Sequence, residues 1–287
     1  MLVGATVWGL IWYPYRVMEQ SGLGGLHAAI LTYAVAFGAS LLFLGTRLRG
    51  QWPQACSWWL LAVAISAGGC NLGYVLATLH GQVMRVLLLF YLSPLWTVLL
   101  SRVLLGERLN GAGMAVIGLS FAGAMVMLWH PELGMPWPGG GAEWLGLAAG
   151  FLFALSNVLI RKTSELSIEL KSTAVCLGVV MLGVVALPFT SGGVAEVGDV
   201  GGLAWGLVVA VGVVLLVINL VVQYGLTHVA ANQAIVIFLF ELVVAAISSW
   251  LLAGESMGGK EWLGGAMIVG ASLFSGRLGG ADKETAP

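Results

Sequence analysis

The sequence predicts an all-α membrane protein with ten transmembrane helices, arranged as two inverted five-helix repeats. Three observations support this fold class: the composition, the number of long apolar stretches, and a similarity between the two halves of the chain. Of the 287 residues, 59% are hydrophobic and 9% are charged, whereas a soluble domain carries roughly 25% charged residues. The net charge of −1 excludes the basic surface that binding to a nucleic acid requires.

Ten apolar stretches approach the length of about 20 residues that a helix needs to cross a bilayer. The first begins at the N-terminus without a basic start or a cleavage site, so we expect a membrane span rather than a removed signal peptide. The predicted spans are residues 2–18, 26–46, 56–79, 82–105, 110–129, 143–162, 168–189, 202–226, 230–253 and 261–278.

Short connections join these spans, and no soluble domain is expected between them. The longest links, 130–142 and 190–201, are rich in glycine and contain acidic residues. We therefore divide the chain into a first repeat at 1–130, an extracytoplasmic linker at 131–142, a second repeat at 143–279 and a cytoplasmic tail at 280–287.

The distribution of basic residues predicts the orientation, because loops on the cytoplasmic side carry an excess of Lys and Arg. With both termini in the cytoplasm, nine basic residues lie inside and three lie outside. Those inside are Arg47, Arg49, Arg102, Arg108, Arg161, Lys162, Lys171, Arg277 and Lys283, and those outside are Arg16, Arg85 and Lys260. The sequence therefore predicts a multi-pass protein of the inner (plasma) membrane with cytoplasmic termini.

The two halves share a sequence pattern. LSPLWTVLLSRVLLGER at 92–108 resembles FELVVAAISSWLLAGES at 240–256, and the pairs Gly106-Glu107 and Gly254-Glu255 are 148 residues apart. Because each half holds an odd number of predicted spans, the second half enters the membrane in the opposite direction. Inverted repeats are common in secondary transporters, where substrate binds near the midplane between the halves.

At these residues the chain resembles the drug/metabolite transporter superfamily and, within it, the EamA-like ten-helix permeases. The resemblance covers essentially the whole chain and implies transport of small organic solutes across the inner membrane, in many cases outward. The family commonly has Glu-Pro in the ninth span. Here Glu241 matches the glutamate, and Leu242 stands in place of the proline. The sequence therefore lacks the proline that would predict a helix break at this point. The arginine that is frequent early in the second span is absent from HAAILTYAV.

Glu241 is the first candidate functional residue, because it lies near the middle of an apolar stretch where a carboxylate is costly unless it is paired, protonated or facing water. Desolvation disfavours its charged form, so it is suited to exchange a proton or to bind a substrate ammonium group. The alternative is a packing role, with hydrogen bonds accepted from neighbouring helices.

Other candidates for substrate binding are polar or aromatic residues that recur on one face of a predicted span. Trp8 and Trp12, together with Arg16, form an aromatic wall or else part of the interfacial aromatic belt. Asn71 and Tyr74, with Thr78, bind substrate or join helices. The remaining candidates are Arg85, Tyr91, Trp96, Asn157 and Asn219. Arg85 is placed to attract a substrate carboxylate or to snorkel to headgroups, and Asn157 and Asn219 are placed to line the inner pathway.

We therefore predict a secondary transporter, most simply an exporter of small metabolites such as amino acids, with protons as a candidate coupling ion. The alternative function is export of drugs or lipophilic cations, neutralised by Glu241. The chain lacks the clustered motifs of an intramembrane enzyme, and Cys56, Cys70 and Cys176 form no metal-binding spacing. The sequence thus predicts no enzyme activity and no cofactor. The expected partners are a small-molecule substrate and the lipid bilayer, and a monomer is compatible with the pattern.

Overall fold

A computed structural model describes residues 1–51, 57–81, 83–129, 131, 137–189, 200–253 and 258–274. Within these ranges the regular structure is helical, with thirteen α-helices and a 3₁₀ turn at Leu187–Phe189. The α-helices are α1 (Leu2–Leu10), α2 (Trp12–Gln20), α3 (Gly25–Arg49), α4 (Trp58–His80), α5 (Val83–Phe90), α6 (Ser93–Leu104), α7 (Gly111–Leu128), α8 (Gly141–Lys162), α9 (Ile168–Ala186), α10 (Gly202–His228), α11 (Ala231–Phe238), α12 (Phe240–Ala253) and α13 (Gly259–Phe274).

Eight segments of the described chain are long and apolar enough to cross a membrane. They correspond to the second through ninth predicted spans. The first predicted span forms α1 and α2, nine residues each, and the described part of the last one is the 16-residue α13. The all-helical membrane architecture is therefore confirmed, while the number of ten spans stays a prediction.

Three predicted spans are broken into two helices, and two of the breaks follow from proline. A proline ring clashes with the carbonyl of the residue four positions earlier. For Pro14 that residue is Leu10, the last residue of α1, and for Pro94 it is Phe90, the last residue of α5. The aromatic first span and the fourth span are thus interrupted where these prolines lie.

The third break, at Leu239 between α11 and α12, has no proline. The Leu242 N–H donates to the carbonyl of Leu239 at 3.1 Å, a bond to the residue three positions earlier. A proline at 242 would end a helix at Phe238, which is the observed last residue of α11. The sequence did not predict this break, because Leu242 stands where the family pattern has proline.

Two pairs of helices, one helix from each half, start 148 residues apart. The starts of α5 and α11 are Val83 and Ala231, and those of α7 and α13 are Gly111 and Gly259. Extensive packing crosses between the halves: α4 lies against α8 and α9, α7 against α13, and α1 against α12. The hydrophobic core is therefore largely the interface between the halves.

One end of the helix bundle, here called the basic end, carries the C-terminal ends of α3, α6, α8 and α10. Its cations bind helix carbonyls that have no partner within their own helix. Lys162 donates to Leu104 O at 2.9 Å, Arg161 donates to Thr227 O, and the buried Lys171 donates to Ile160 O and Thr163 O at 3.3 Å. These basic residues thus join helix ends to one another at the basic end.

Candidate functional site

A hydrogen bond joins two of the three broken spans, the fourth and the ninth. Tyr91 follows the end of α5, and Glu241 lies in the first turn of α12. The Tyr91 hydroxyl donates to Glu241 Oε1 at 2.6 Å. The free N–H groups and the positive end of the helix dipole stabilise a carboxylate in a first turn. The two helix breaks therefore place a hydroxyl and a carboxylate together between the halves.

Tyr91 is 7% exposed, whereas Glu241 retains partial exposure. Among the described residues, Tyr91 is the only side chain that donates a hydrogen bond to this carboxylate. A carboxylate has about four acceptor positions. Glu241 therefore has the capacity to bind a further donor, such as a substrate N–H or a proton.

A cluster of aromatic rings extends from Tyr91. Phe90 contacts Tyr74 at a centroid distance of 5.2 Å, Tyr91 at 5.3 Å and Phe153 at 5.5 Å, and Phe153 contacts Phe238 at 5.5 Å. Such edge-to-face and tilted arrangements are favourable for aromatic pairs. The predicted residues Tyr74 and Tyr91 thus belong to one aromatic cluster with Phe90, Phe153 and Phe238, three rings that the sequence analysis missed.

Helix α1 lies directly against the helix that carries Glu241. A Cβ on Gly9 would be 2.7 Å from the Glu241 carbonyl, so only glycine permits this approach. Trp12 Nε1 donates to Ser248 Oγ on α12 at 2.9 Å. Trp8 packs instead against the cluster of Tyr33, Leu215 and their neighbours. The two tryptophans thus make separate contacts, on either side of the helix break at Ile11.

Tyr33 is a further residue that the sequence analysis missed. Its hydroxyl donates to Asn71 Oδ1 at 3.2 Å and also interacts with the Asn219 side chain, so it joins α3, α4 and α10. Its side chain is 2% exposed. The available signal was a tyrosine inside the apolar second span, since a buried tyrosine hydroxyl needs a partner. Asn71 and Asn219 thus lie at one junction between the halves.

Arg85 lies at the end of the bundle opposite the basic end. Its Nε pairs with Glu143 Oε1 at 2.8 Å, and its Nη2 donates to Trp137 O at 3.0 Å. From the sequence, Arg85 was expected to attract a substrate carboxylate or to reach lipid headgroups. The ion pair with Glu143 was not expected. The pair joins α5 to the start of α8, away from Glu241.

Two predicted residues carry buried N–H groups that have no acceptor in the described structure. Trp96 contacts Phe151 edge-on at 5.5 Å while its indole Nε1 has no partner. Asn157 is 5% exposed and its Nδ2 has no partner. Buried polar groups are nearly always hydrogen-bonded, so both residues have a donor that no described group of the protein uses.

Glu107 joins the same two broken spans at the basic end. The end of α6 has a left-handed residue, Gly106 at φ +71°, and the Glu107 N–H donates to Ser101 O at 3.2 Å. This turn directs Glu107 to the start of α11. Its carboxylate accepts from Ala231 N at 3.1 Å, from Asn232 N at 3.4 Å and from Asn232 Nδ2 at 3.0 Å. The repeat counterpart, Gly254-Glu255, lies outside the described residues.

In the described part of the chain, no group of three or more His, Cys, Asp or Glu side chains is placed to hold a metal ion. The geometry is instead that of a polar centre between two packed halves. A family model for EamA-like transporters matches residues 1–129 and 141–277. The chain belongs to the EamA-like transporter family. It is therefore a multi-pass membrane protein of a transporter family, as the resemblance of the sequence implied.

Several curated relatives of this EamA-like protein are named as transporters. A riboflavin transporter of Rhizobium johnstonii is 30% identical over 263 residues, which cover 86% of this chain and 79% of the relative. An uncharacterized transporter of Archaeoglobus fulgidus is 28% identical over 207 residues, 71% of each chain. The RarD protein of Streptomyces exfoliatus is 26% identical over 172 residues, 57% of this chain and 50% of RarD.

A solved crystal structure superposes with a TM-score of 0.75 at 21% identity, covering 96% of this chain and 97% of the other. This likeness supports the fold alone.

Proposed function

We propose that this EamA-like protein is a secondary transporter that exports small organic metabolites by alternating access between two inverted five-helix halves. Glu241 is its central binding and coupling residue. The observation that carries the proposal is the Tyr91–Glu241 hydrogen bond, which joins the breaks of two discontinuous spans. Discontinuous helices near the midplane form substrate and ion sites in many transporters.

The proposed inverted arrangement has support in the packing of α7 and α13. Gly123, near the end of α7, lies against Gly264, near the start of α13. These two helices have equivalent positions in the two halves, and their contact is the one expected if they run in opposite directions. We propose that the basic end faces the cytoplasm, in agreement with the bias of Lys and Arg.

The proposed substrates are amphipathic metabolites with an aromatic or apolar part and hydrogen-bonding groups, a class that includes amino acids and the vitamin named for the Rhizobium relative. The ring cluster of Tyr74, Phe90 and Tyr91 suits the apolar part, and Glu241 suits an N–H or ammonium group. In the proposed cycle Glu241 releases its proton or substrate when the pathway opens to the other side.

A second candidate function is export of lipophilic cations. It is favoured by the position of Glu241 among aromatic rings, because a carboxylate and ring faces together bind organic cations. Among the described residues no Lys or Arg is hydrogen-bonded to Glu241. The two functions differ in the charge of the substrate.

The test is transport by proteoliposomes that contain wild type or Glu241→Gln, with and without a pH gradient. Three substrate sets are supplied: mixed amino acids, riboflavin and quaternary amines. We expect wild type to transport members of one set, and Glu241→Gln to be slower by about 10- to 100-fold, since a hydrogen bond to a charged group contributes about 1.5–3 kcal/mol. Normal transport by the variant under every gradient would remove Glu241 from the mechanism.

A further inference from the structure

A pair of buried amide side chains lies between the central site and the basic end. Asn157 on α8 and Gln223 on α10 are 5% and 2% exposed. Within the described residues, Asn157 Nδ2 and Gln223 Oε1 have no hydrogen-bond partner. One is a donor and the other an acceptor, and a buried group of either kind is costly without a partner. This pair therefore has hydrogen-bonding capacity that the protein itself does not use.

Contacts one helical turn away show that the two amides occupy the same region. Arg161, four residues after Asn157, donates to the carbonyl of Thr227, four residues after Gln223. Residues four apart share a helix face. Each amide thus lies one turn from a contact between α8 and α10, on the face that makes this contact.

Neighbouring contacts bound the region on two sides. Toward the centre, Phe153, four residues before Asn157, contacts Phe238 at the end of α11, at 5.5 Å. Toward the basic end, Thr227 Oγ1 accepts from Lys171 at 2.7 Å, and Lys171 also binds two helix carbonyls. The nearby cations, Arg161 and Lys171, are therefore occupied by oxygens of the protein. The amides themselves are uncharged, and they lie between the ring pair Phe153–Phe238 and these two cations.

We propose that Asn157 and Gln223 form a second binding subsite, which recognises a neutral amide, lactam or imide group of the transported molecule. Asn157 Nδ2 donates to the C=O of such a group, and Gln223 Oε1 accepts from its N–H. A cationic group is disfavoured there, because Arg161 and Lys171 lie nearby and, in the described chain, are bonded only to uncharged oxygens. The subsite rests on the proposed transport function and narrows its substrate class.

The experiment uses riboflavin, whose imide edge has an N–H between two carbonyls, and its N3-methyl derivative, which keeps the carbonyls and lacks the N–H. Uptake into proteoliposomes is measured for wild type, Asn157→Ala, Gln223→Met and the control Ser66→Ala. The Ser66 hydroxyl is also buried but donates to Ala62 O in its own helix at 2.7 Å. Amino acids and quaternary amines are assayed in parallel.

We expect wild type to have about a tenfold lower KM for riboflavin than for the methyl derivative, because a lost hydrogen bond leaves a buried acceptor unpaired. Gln223→Met abolishes this difference and Asn157→Ala raises both KM values, while Ser66→Ala changes neither. The melting temperature of Gln223→Met should be unchanged or higher, since it removes an unsatisfied buried oxygen. A purely structural role for Gln223 predicts a lower melting temperature instead.

The remaining outcomes separate the subsite from the transport function. Riboflavin transport that keeps its preference over the methyl derivative in both variants would overturn the subsite. So would transport confined to amino acids or quaternary amines, although the protein would still be a transporter. Absence of transport for every substrate set would reject the proposed function itself and the subsite with it.

Discussion

The fourth and ninth spans, both broken, are joined at two places by hydrogen bonds to a glutamate, and the two glutamates differ in how many donors they bind. At the centre, a single hydrogen bond from Tyr91 leaves Glu241 with unused acceptor capacity. At the basic end, Glu107 accepts three hydrogen bonds from Ala231 and Asn232, and Asn232 also donates to Ser101 Oγ at 2.9 Å. A carboxylate with spare capacity is able to exchange partners, whereas one with several fixed donors holds elements together. We therefore expect Glu241 to control transport and Glu107 to control closure of the basic end.

The largest expected effect on stability comes from the basic end. Glu107→Ala removes a carboxylate from the N-terminus of α11 and leaves its N–H groups unpaired. We expect a loss of about 1.5–3 kcal/mol in the free energy of unfolding, because these hydrogen bonds involve a charged group. Unfolding by SDS titration measures this loss. Spin labels at exposed Arg108 and His228 measure whether the basic end opens.

A charge exchange separates closure from a general loss of stability. Asn232→Asp places a second carboxylate beside Glu107 and should open the basic end by repulsion. The double variant Glu107→Gln/Asn232→Asp restores one carboxylate in the first turn of α11, and it should recover the closed label distance. If Glu107→Ala and Asn232→Asp both keep the label distance of the wild type, Glu107 does not close this end.

Gly150→Ala tests whether the central bond depends on close packing of α5 on α8. An added Cβ would lie 3.0 Å from the Phe90 Cα and even closer to the Phe90 carbonyl. Backbone atoms have to move, so we expect a destabilisation of about 1–3 kcal/mol and slower transport, because Tyr91 follows Phe90. The matched control is Gly118→Ala on α7, which has open space around it and should not lower the melting temperature. Equal melting temperatures and transport rates of Gly150→Ala and Gly118→Ala would mean that the central bond does not depend on the close packing of α5 on α8.

Tyr91→Phe removes only the hydroxyl that donates to Glu241. The expected loss of stability is about 1 kcal/mol, smaller than at the basic end, because Glu241 retains partial exposure. The rate and pH dependence of transport should change more than the melting temperature does. Tyr13→Phe at an exposed position is the control. A variant with altered stability and unaltered transport would make the central bond structural, like the one at the basic end.

Leu242→Pro has the smallest expected effect. Residue 242 lies in the first turn of α12, where proline is tolerated, and its N–H makes a single bond to Leu239 O. The lost N–H bond should cost less than about 1 kcal/mol, and the loss of part of the buried Leu242 side chain adds to this cost. Val243→Pro, one residue further into the same helix, is the comparison and should cost more. A large loss in Leu242→Pro would mean that the break at Leu239 differs from one produced by proline.

The basic-end connection was only partly visible in the sequence. The repeated Gly-Glu pair was evident, and Gly106 could be expected to end a helix. The partner of Glu107 could not be predicted, because α11 begins 124 residues later along the chain. In the same way Glu241 was identified from its cost in an apolar span, while Tyr91 was chosen only as an aromatic residue near Arg85. Tyr91 and Glu241 were therefore both predicted as binding residues, but their hydrogen bond to each other was not.

At other positions, a pattern along the chain did not reveal which residues come into contact. Trp8 and Trp12 were placed on one face under the assumption of a continuous helix, and the break at Ile11 separates their contacts. Arg85 was assigned to substrate or lipid because its partner, Glu143, lies beyond the linker. Tyr33 was missed because one tyrosine in an apolar span has no periodic pattern around it.

By itself, the sequence determined that the protein is helical and crosses a membrane, and it indicated which residues deserved attention. These properties follow from composition and from apolar length, which act along the chain and need no tertiary contact. Only the tertiary structure decided which polar groups meet: Tyr91 with Glu241, Glu107 with α11, and Arg85 with Glu143. It also placed a helix break at Leu239, where the sequence has no proline. The contacts could not be read from the sequence because they join residues as far as 150 positions apart, which no local pattern along the chain specifies.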